Sequence, residues 1–224
     1  MLFNSLSYFL FFPVVVGIYF ALPHRHRWLL LLLASYTFYM FWRVEYAILM
    51  LTSTAVDYFV AIKMAVTPPQ QRKKYLAISL VSNLGLLFAF KYLGFALTSV
   101  NLLLQPFHIA PLPAIDWLLP VGISFYTFQT LSYTLDVYRG KIEPEQHFGM
   151  FAVYVSFFPQ LVAGPIERAG RLLPQFRSPQ KLNYVRIVHG MRRILIGLFK
   201  KVVVADFLAH YVDLIYCRPE DFAG

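Results

Sequence analysis

The chain has 224 residues, of which 58% are hydrophobic and 14% are charged, whereas roughly a quarter of the residues in soluble domains are charged. Its net charge is +9. Because the Lys and Arg residues cluster in short stretches between apolar runs, this charge is typical of membrane topology and not of nucleic-acid binding. The composition therefore predicts an all-α integral membrane protein built as a polytopic helical bundle, and the single cysteine excludes an internal disulfide.

Five apolar runs approach or reach the roughly 20 residues that a spanning helix needs. The first lacks a preceding basic region, so we expect it to be a retained helix and not a cleaved signal. The fourth continues apolar past Gly94, which leaves open whether that helix runs on or breaks there. The predicted spans are residues 6–22, 28–42, 46–62, 75–93 and 117–137.

Basic stretches follow the first, third and fifth predicted spans, whereas no Lys or Arg lies between Tyr92 and Tyr138. Cytoplasmic loops carry an excess of Lys and Arg. We therefore expect these three stretches in the cytoplasm. The N-terminus and the proline-rich loop at residues 106–113 are expected on the opposite face.

The fifth predicted span is apolar enough to enter a membrane, yet polar side chains lie on all its sides. Hydrocarbon offers these groups no partner, so each one must bond inside the protein or face a wet cavity. A buried helix whose hydroxyls bond its own carbonyls is one interpretation. The density of polar groups favours the lining of a tunnel, and the lining residues predicted here are Gln129, Tyr133, Asp136 and Arg139.

Residues 148–166 are apolar but are interrupted by Pro159, Gly164 and Pro165, with a polar Gln160 between them. The most basic part of the chain follows at residues 167–193, which belongs in the cytoplasm. A re-entrant segment that dips in, breaks and returns to the same face fits both facts. An ordinary proline-kinked span with a basic outer loop is the alternative.

Residues 184–216 have a helical period together with charged side chains. We expect the first half to be an amphipathic helix on the cytoplasmic surface, with its lysines reaching toward the headgroups. Residues 194–216 could instead enter the bundle with Asp206 facing inward. Asp57, inside the third span, needs a partner at membrane depth, and Lys63 or another span could supply it.

Three motifs in this order resemble the membrane-bound O-acyltransferase superfamily: PVGISFYTFQTLSYTLDVYRG at 120–140, FFPQLVAGPIER at 157–168 and GLFKKVVVAD at 197–206. They are most similar to its bacterial branch, which includes the alginate O-acetyltransferase membrane subunit and the D-alanyl transfer protein of teichoic acid synthesis. The opening MLFNSLSYFLFFPVVVGIYFALP is also similar to that branch. The resemblance extends along essentially the whole chain and corresponds to the N-terminal half of such a protein.

This resemblance implies a partial helical ring around a tunnel in the bacterial inner membrane, and O-acetylation of an exported, alginate-like polysaccharide. The donor would be acetyl-CoA or an acyl-carrier thioester, used as a substrate, and no bound cofactor or metal is implied. The implied partners are membrane lipid, the polysaccharide acceptor, a cytoplasmic acyl-donor protein and periplasmic acetylation or export proteins. Nucleic acid is not among them.

The superfamily's chemistry is assigned to histidines in a tryptophan–histidine context, and no Trp-His pair occurs in these residues. We therefore assign no catalytic residue and expect residues 1–224 alone to be inactive. A non-enzymatic membrane scaffold or export component is the alternative, and a transporter is a third hypothesis.

The resemblance also sharpens the roles of the candidate residues. Asp136 and Arg139 form either an ion pair at the end of a helix or a contact at the donor entrance. Glu167 and Arg168 follow the break at Gly164, and either orient that break or contact a charged donor such as a thioester carrier. With Gln160 they are predicted to belong to the same tunnel or donor side.

Overall fold

The computed structural model describes residues 3–107, 110–113, 119–162 and 164–217, and regular structure within these ranges is helical throughout. The predicted all-α class is confirmed. Short 3-10 turns lie at Pro69–Gln71 and Gln105–Phe107. The helices in chain order are α1 (Leu6–Ala21), α2 (His24–Met40), α3 (Val44–Val66), α4 (Arg72–Lys91), α5 (Leu93–Leu104), α6 (Ile123–Tyr138), α7 (Phe148–Ser156), α8 (Phe158–Leu161), α9 (Ala169–Arg177), α10 (Tyr184–Phe199) and α11 (Asp206–Cys217).

The chain divides into two compact units, of which the first comprises Met1–Ala21 and Gln180–Gly224. Its helix α10 is capped at the N-terminus by Asn183, whose side chain accepts a hydrogen bond from the Arg186 amide. A π-helical turn, Lys200–Ala205, joins α10 to α11, and no described residue of α10 or α11 is buried. In a π-helical turn the backbone bonds connect residues five apart, and Lys201 pairs with Asp206 across it.

The second unit, Leu22–Pro179, has α3 at its centre. Helices α2, α4, α6 and α7 all pack against α3, and α6 also contacts α4 and α7. The core is rich in aromatic rings because α6 and α7 supply them to one another: the Tyr133 ring lies 4.5 Å from Phe151 and 6.3 Å from Tyr154. This packing places the polar helix α6 in the interior.

Two of the helical segments described are long and apolar enough to cross a membrane, namely Val44–Val66 and Pro69–Lys91, with 23 residues each. Shorter apolar helices cover Leu6–Ala21, Leu93–Phe107 and Phe148–Leu161. These lengths agree with a helical membrane protein.

Several helix boundaries differ from the predicted spans by a few residues, and the ends at Tyr92 and Gly122 are the most informative. The fourth apolar run breaks at Tyr92, so that α4 ends at Lys91 and α5 begins at Leu93. Helix α6 begins at Ile123, later than the predicted start at residue 117, which lies outside the described residues. The reason is local: Gly122 has a left-handed φ of 78°, which an α-helix does not accommodate.

Residues 145–177, the hairpin segment, fold back on themselves. Helix α7 ends before Phe157, the chain turns through α8, and α9 brings Arg177 back to within 2.5 Å of Glu145. The Tyr154 hydroxyl donates to the Glu167 carbonyl at 3.1 Å, which links the two limbs halfway along. Both ends of the segment therefore lie at the same end of α6.

Helix α2 supports the hairpin segment along its length. At the base of the segment, where Glu145 and Arg177 meet, a ring nitrogen of His24 lies 2.8 Å from the Arg177 carbonyl. Farther along, a Cβ atom on Gly149 would lie 2.3 Å from the Trp28 ring, so the two helices approach closely there. At the tip of the segment, which is helix α8 (Phe158–Leu161), the Ser35 hydroxyl accepts a hydrogen bond from the Phe158 amide at 3.2 Å.

Candidate functional site

Polar side chains of α6 enter two buried networks, one toward α3 and α4 and the other toward α7. The first centres on Asp57 of α3, which is fully buried. Its carboxyl oxygens accept hydrogen bonds from the Ser79 hydroxyl at 2.6 Å and from the Asn83 amide at 2.9 Å. Both donors lie on α4, so another span, and not Lys63, supplies the partners of Asp57.

Helix α6 joins this network through two threonines. Thr130 lies 3.3 Å from the Asn83 side-chain oxygen, and Ser79 lies 3.4 Å from the Thr134 hydroxyl. Ser53 of α3 donates to the same Asn83 oxygen at 3.0 Å. None of the ion pairs formed within the described ranges includes Asp57. The network therefore joins three helices through hydrogen bonds alone, which is the role of polar side chains between membrane helices.

The second network centres on Tyr154 of α7. The Gln129 amide donates to the Tyr154 carbonyl at 2.6 Å, and the Gln160 amide approaches the same oxygen at 3.3 Å. The Tyr154 hydroxyl reaches the carbonyls of Gln129 and Glu167 at 3.3 Å and 3.1 Å. The predicted site residues Gln129, Gln160 and Glu167 thus all contact Tyr154, which was not among the predicted residues.

The end of α6 holds a charged cluster around Asp136, which is largely buried. Its carboxylate lies 3.7 Å from Arg168 and 3.9 Å from Lys141, and both cations are mostly exposed. Arg139 caps the helix with its backbone and has an exposed side chain, and it makes no ion pair within the described part of the chain. The structure therefore pairs Asp136 with residues beyond the helix and not with Arg139, three positions on.

Tyr133 connects this end of α6 to the base of the hairpin segment. Its hydroxyl accepts a hydrogen bond from the Glu145 amide at 2.9 Å. The buried Glu145 carboxylate accepts from the His147 amide at 3.0 Å and from Arg177 at 2.5 Å. The adjacent carbonyl of Gln146 accepts from the Tyr58 hydroxyl at 2.5 Å. The base is therefore fixed by α3 and α6 as well as by its own ion pair.

We expect Arg177→Ala to lower the free energy of unfolding by about 1–2 kcal/mol. The Glu145 side chain is 2% exposed and would lose its cation, but Arg177 is 58% exposed and solvent screens part of the attraction. Chemical unfolding in detergent micelles measures the change. Arg171→Ala is the matched control, since this exposed arginine of α9 makes no ion pair with a described residue. Equal losses of unfolding free energy for Arg177→Ala and Arg171→Ala would show that the Glu145–Arg177 ion pair does not stabilise the hairpin segment.

Sequence reasoning missed Tyr154, Glu145 and the α4 partners of Asp57. A signal for Tyr154 was present: a tyrosine in an apolar run beside a helix break usually needs a partner for its hydroxyl. The position of Glu145 in a loop between two helices gave no sign of its burial. In the structure its carboxylate engages Arg177, and the His147 ring accepts from the Met150 amide and packs against Trp28.

The chain is similar to several curated bacterial proteins. It is 36% identical over 223 residues to a probable alginate O-acetylase of Azotobacter vinelandii, covering 99% of this chain and 44% of that protein. The corresponding protein of Pseudomonas aeruginosa is 38% identical over 99% of this chain and 43% of its own length. A peptidoglycan O-acetyltransferase of Helicobacter pylori is 39% identical over 95% of this chain and 46% of that protein.

No family model and no solved structure matches the chain. The relatives that do match align with nearly every residue of the chain, including the three motifs. The chain spans under half the length of these curated relatives. The resemblance of this chain to the bacterial O-acetylase branch of the membrane-bound O-acyltransferases is thereby confirmed.

Proposed function

We propose that this chain forms part of a membrane O-acetyltransferase that acetylates a hydroxyl of an exported polysaccharide. The observation that carries the proposal is the 36–39% identity along nearly the whole chain to proteins named alginate O-acetylase and peptidoglycan O-acetyltransferase. Both acceptors are glycans, so the chemistry they share is attack by a sugar hydroxyl on an acetyl carbonyl.

The reaction balances with a thioester donor, acetyl-CoA or an acetylated carrier protein. The sugar oxygen forms a bond to the acetyl carbon, the carbon–sulfur bond breaks, and the hydroxyl proton ends on the released thiol. A general base that takes this proton accelerates such a step. No residue of this chain is assigned to that role.

The proposed orientation is a multi-pass arrangement in the bacterial inner membrane, with the N-terminus on the periplasmic side. The hairpin segment would enter from the cytoplasmic face and return to it, with Glu145 and Arg177 at that face. Its base contacts His24, which adjoins the first basic stretch that the positive-inside rule assigns to the cytoplasm. The short separation between these predicted cytoplasmic residues supports the orientation.

Helix lengths support a tip near the middle of the bilayer. Ser35 lies eleven residues beyond His24 on α2, which corresponds to about 16 Å at a rise of 1.5 Å per residue. Half of a hydrocarbon core of roughly 30 Å is about 15 Å. The Ser35 hydroxyl contacts the tip at Phe158, so a base at the membrane surface would put this contact close to the midplane.

Within this orientation, Asp136, Lys141 and Arg168 would form the donor entrance at the cytoplasmic face. Exposed cations on both sides of a largely buried carboxylate would attract an anionic donor such as acetyl-CoA. Gln129, Tyr133 and Gln160 would line the path inward, while Glu167 fixes the returning limb through its carbonyl. Arg139, exposed beside this cluster, would add to the positive field.

The basic residues between positions 168 and 193 would serve a second purpose, as the positive-inside rule assigns them to the cytoplasm. Helix α10 would lie along the membrane surface, where its arginines would contact anionic headgroups. They would also attract an acidic acyl-carrier protein that delivers the donor. Periplasmic acetylation or export proteins would act on the opposite side. The residues concerned are Arg168, Arg171, Arg177, Lys181, Arg186, Arg192 and Arg193.

Deletion of the gene from its own bacterium tests the proposed function. We expect the ester-bound acetyl content of an exported polysaccharide to fall, with its sugar composition unchanged, and to recover when the complete gene is returned. Measuring acetyl esters in the peptidoglycan of the same strains identifies the acceptor. Unchanged acetyl content in every surface glycan would overturn the proposal.

A further inference from the structure

The GLFKKVVVAD motif at 197–206 has no part in the proposed reaction, yet it contains the π-helical turn Lys200–Ala205. In this turn the Asp206 amide donates to the Lys201 carbonyl, five residues earlier in the chain. Such turns are rare in proteins and frequently lie at functional sites. The turn therefore directs attention to the surface that the motif forms within the first unit.

An open groove of about 880 Å³ lies where α10 meets this turn. Its lining consists of four apolar side chains and one cation, namely Leu195, Ile196, Phe199, Val204 and Lys200. The Leu195, Ile196 and Phe199 side chains are 62%, 56% and 58% exposed, so the described part of the chain leaves the groove uncovered. Its volume lies within the roughly 300–1,000 Å³ of sites that bind small molecules.

Lys200 is an available cation at the edge of this groove. The next residue, Lys201, is paired with Asp206 across the turn. Lys200 is exposed and forms no ion pair with any residue that the structure describes. The groove thus combines an apolar surface with a positive charge that the fold does not neutralise.

The charge of Lys200 continues a basic face of α10. Arg186, Arg193 and Lys200 recur every seven residues, which places them along one face of the helix. Ile196 of the groove is three positions past Arg193, so the apolar lining adjoins this face. The described part of the first unit has six Lys and Arg residues against two Asp and no Glu. The surface around the groove therefore favours an anionic ligand.

We propose that the groove binds an acyl chain of an anionic phospholipid, with the Lys200 ammonium against the headgroup phosphate. An acyl chain needs no hydrogen-bond partner, which suits a lining that is apolar apart from Lys200. An acidic peptide laid on the same surface would leave its backbone groups without partners. The inference rests on the membrane position in the proposed function and not on acetyl transfer. It adds a defined lipid site to the general attraction between basic residues and headgroups.

The test uses the complete protein in lipid nanodiscs, with Phe199→Trp as a fluorescent reporter in the groove. Lipids that carry bromine on their acyl chains quench a tryptophan that they contact. Brominated phosphatidylglycerol, which is anionic, is compared with brominated phosphatidylethanolamine of the same chain length, and the unsubstituted protein supplies the signal of the native tryptophans. We expect phosphatidylglycerol to quench the reporter at about one-fifth of the mole fraction that phosphatidylethanolamine requires.

Variants of the lysine assign this preference to the groove. Lys200→Gln should remove the fivefold preference for phosphatidylglycerol, whereas Lys200→Arg keeps the charge and should retain it. Lys181→Gln is the matched control, since this exposed lysine of the same unit lies outside the groove, and it should also retain the preference. A reporter at an exposed position of α11, Val212→Trp, should show no preference between the two lipids.

Three results would overturn the lipid site: equal quenching by the two lipids, an undiminished preference in Lys200→Gln, or no quenching of the reporter by either lipid. The last result would mean that protein covers the groove, for example a further part of a longer chain. These outcomes are independent of the deletion experiment. If acetyl esters are lost in the deletion strain but the reporter shows no preference, the proposed function stands and the lipid site fails. If esters persist while the preference is found, the reverse holds.

Discussion

Asp57→Ala should lower the free energy of unfolding by about 2–4 kcal/mol, because it leaves buried donors on α4 without an acceptor, at about 1–3 kcal/mol for each unsatisfied group. Ser79 can turn to the Thr134 hydroxyl, which lies 3.4 Å away. The Asn83 amide would keep its bond to the Ser79 carbonyl at 3.0 Å but would lose both carboxyl oxygens, which it contacts at 2.9 Å. The loss should therefore fall mainly on the contact between α3 and α4.

Chemical unfolding in mixed micelles measures the effect, with Thr52→Ala as the control. Thr52 is on the same helix but is exposed, and its hydroxyl donates only to the Leu49 carbonyl of its own helix. We expect that control to change stability by less than about 0.5 kcal/mol. The double substitution Asp57→Ala, Asn83→Ala should cost less than the sum of the two single ones, since the partners are lost together. A stable Asp57→Ala protein would refute the view that this network holds the three helices together.

Gly122→Ala should also lower the free energy of unfolding, by about 2–5 kcal/mol, and two separate effects contribute to this loss. The residue has a φ of 78°, which disfavours any side chain. An added Cβ would also lie 2.7 Å from the backbone oxygen of Leu161, which cannot rotate away as a side chain does. The start of α6 would have to separate from the tip of the hairpin segment.

Gly140→Ala isolates the first of these reasons. Gly140 has a φ of 67°, but no atom lies within 4 Å of its Cβ position. We expect it to cost only about 1 kcal/mol in the same unfolding assay. The difference between the two variants measures the close contact between α6 and the tip, and equal losses would mean that this contact is easily relaxed. Gly122→Ala should also reduce polysaccharide acetylation in the complemented strain, whereas Gly140→Ala should not.

The sequence was most informative about the site where polar side chains occur inside apolar runs. Helix α6 carries too many polar groups for a lipid-facing helix, which predicted that these groups bond inside the protein or line a tunnel. In the structure most of them are buried. The same reasoning selected Gln129, Gln160 and Glu167 because each lies near a helix break or inside an apolar run. They converge on Tyr154, although nothing in their spacing specified a common neighbour.

The partners of these groups were less predictable, because they are distant in the chain. Asp57 bonds residues 22 and 26 positions away on α4, and only the packing of α3 against α4 decides which polar residues meet. Asp136 and Arg139 have a favourable helical spacing. The chain after α6 nevertheless brings Lys141 and Arg168 to the carboxylate. Local periodicity predicts which residues are buried, but the register between helices selects their neighbours.

The joined ends of the hairpin segment have a consequence for biosynthesis in the proposed orientation. Since Glu145 and Arg177 meet at one end, the arginine-rich residues that follow never need to cross the bilayer. Transfer of each arginine to the membrane centre costs at least about 2.5 kcal/mol, so a chain that had to carry them across would insert poorly. Only the apolar tip has to enter, and it can do so after α2 and α6 are already in the membrane. The hairpin segment would then be a late-inserting part of the chain, guided to its depth by the Ser35 hydroxyl that receives its tip.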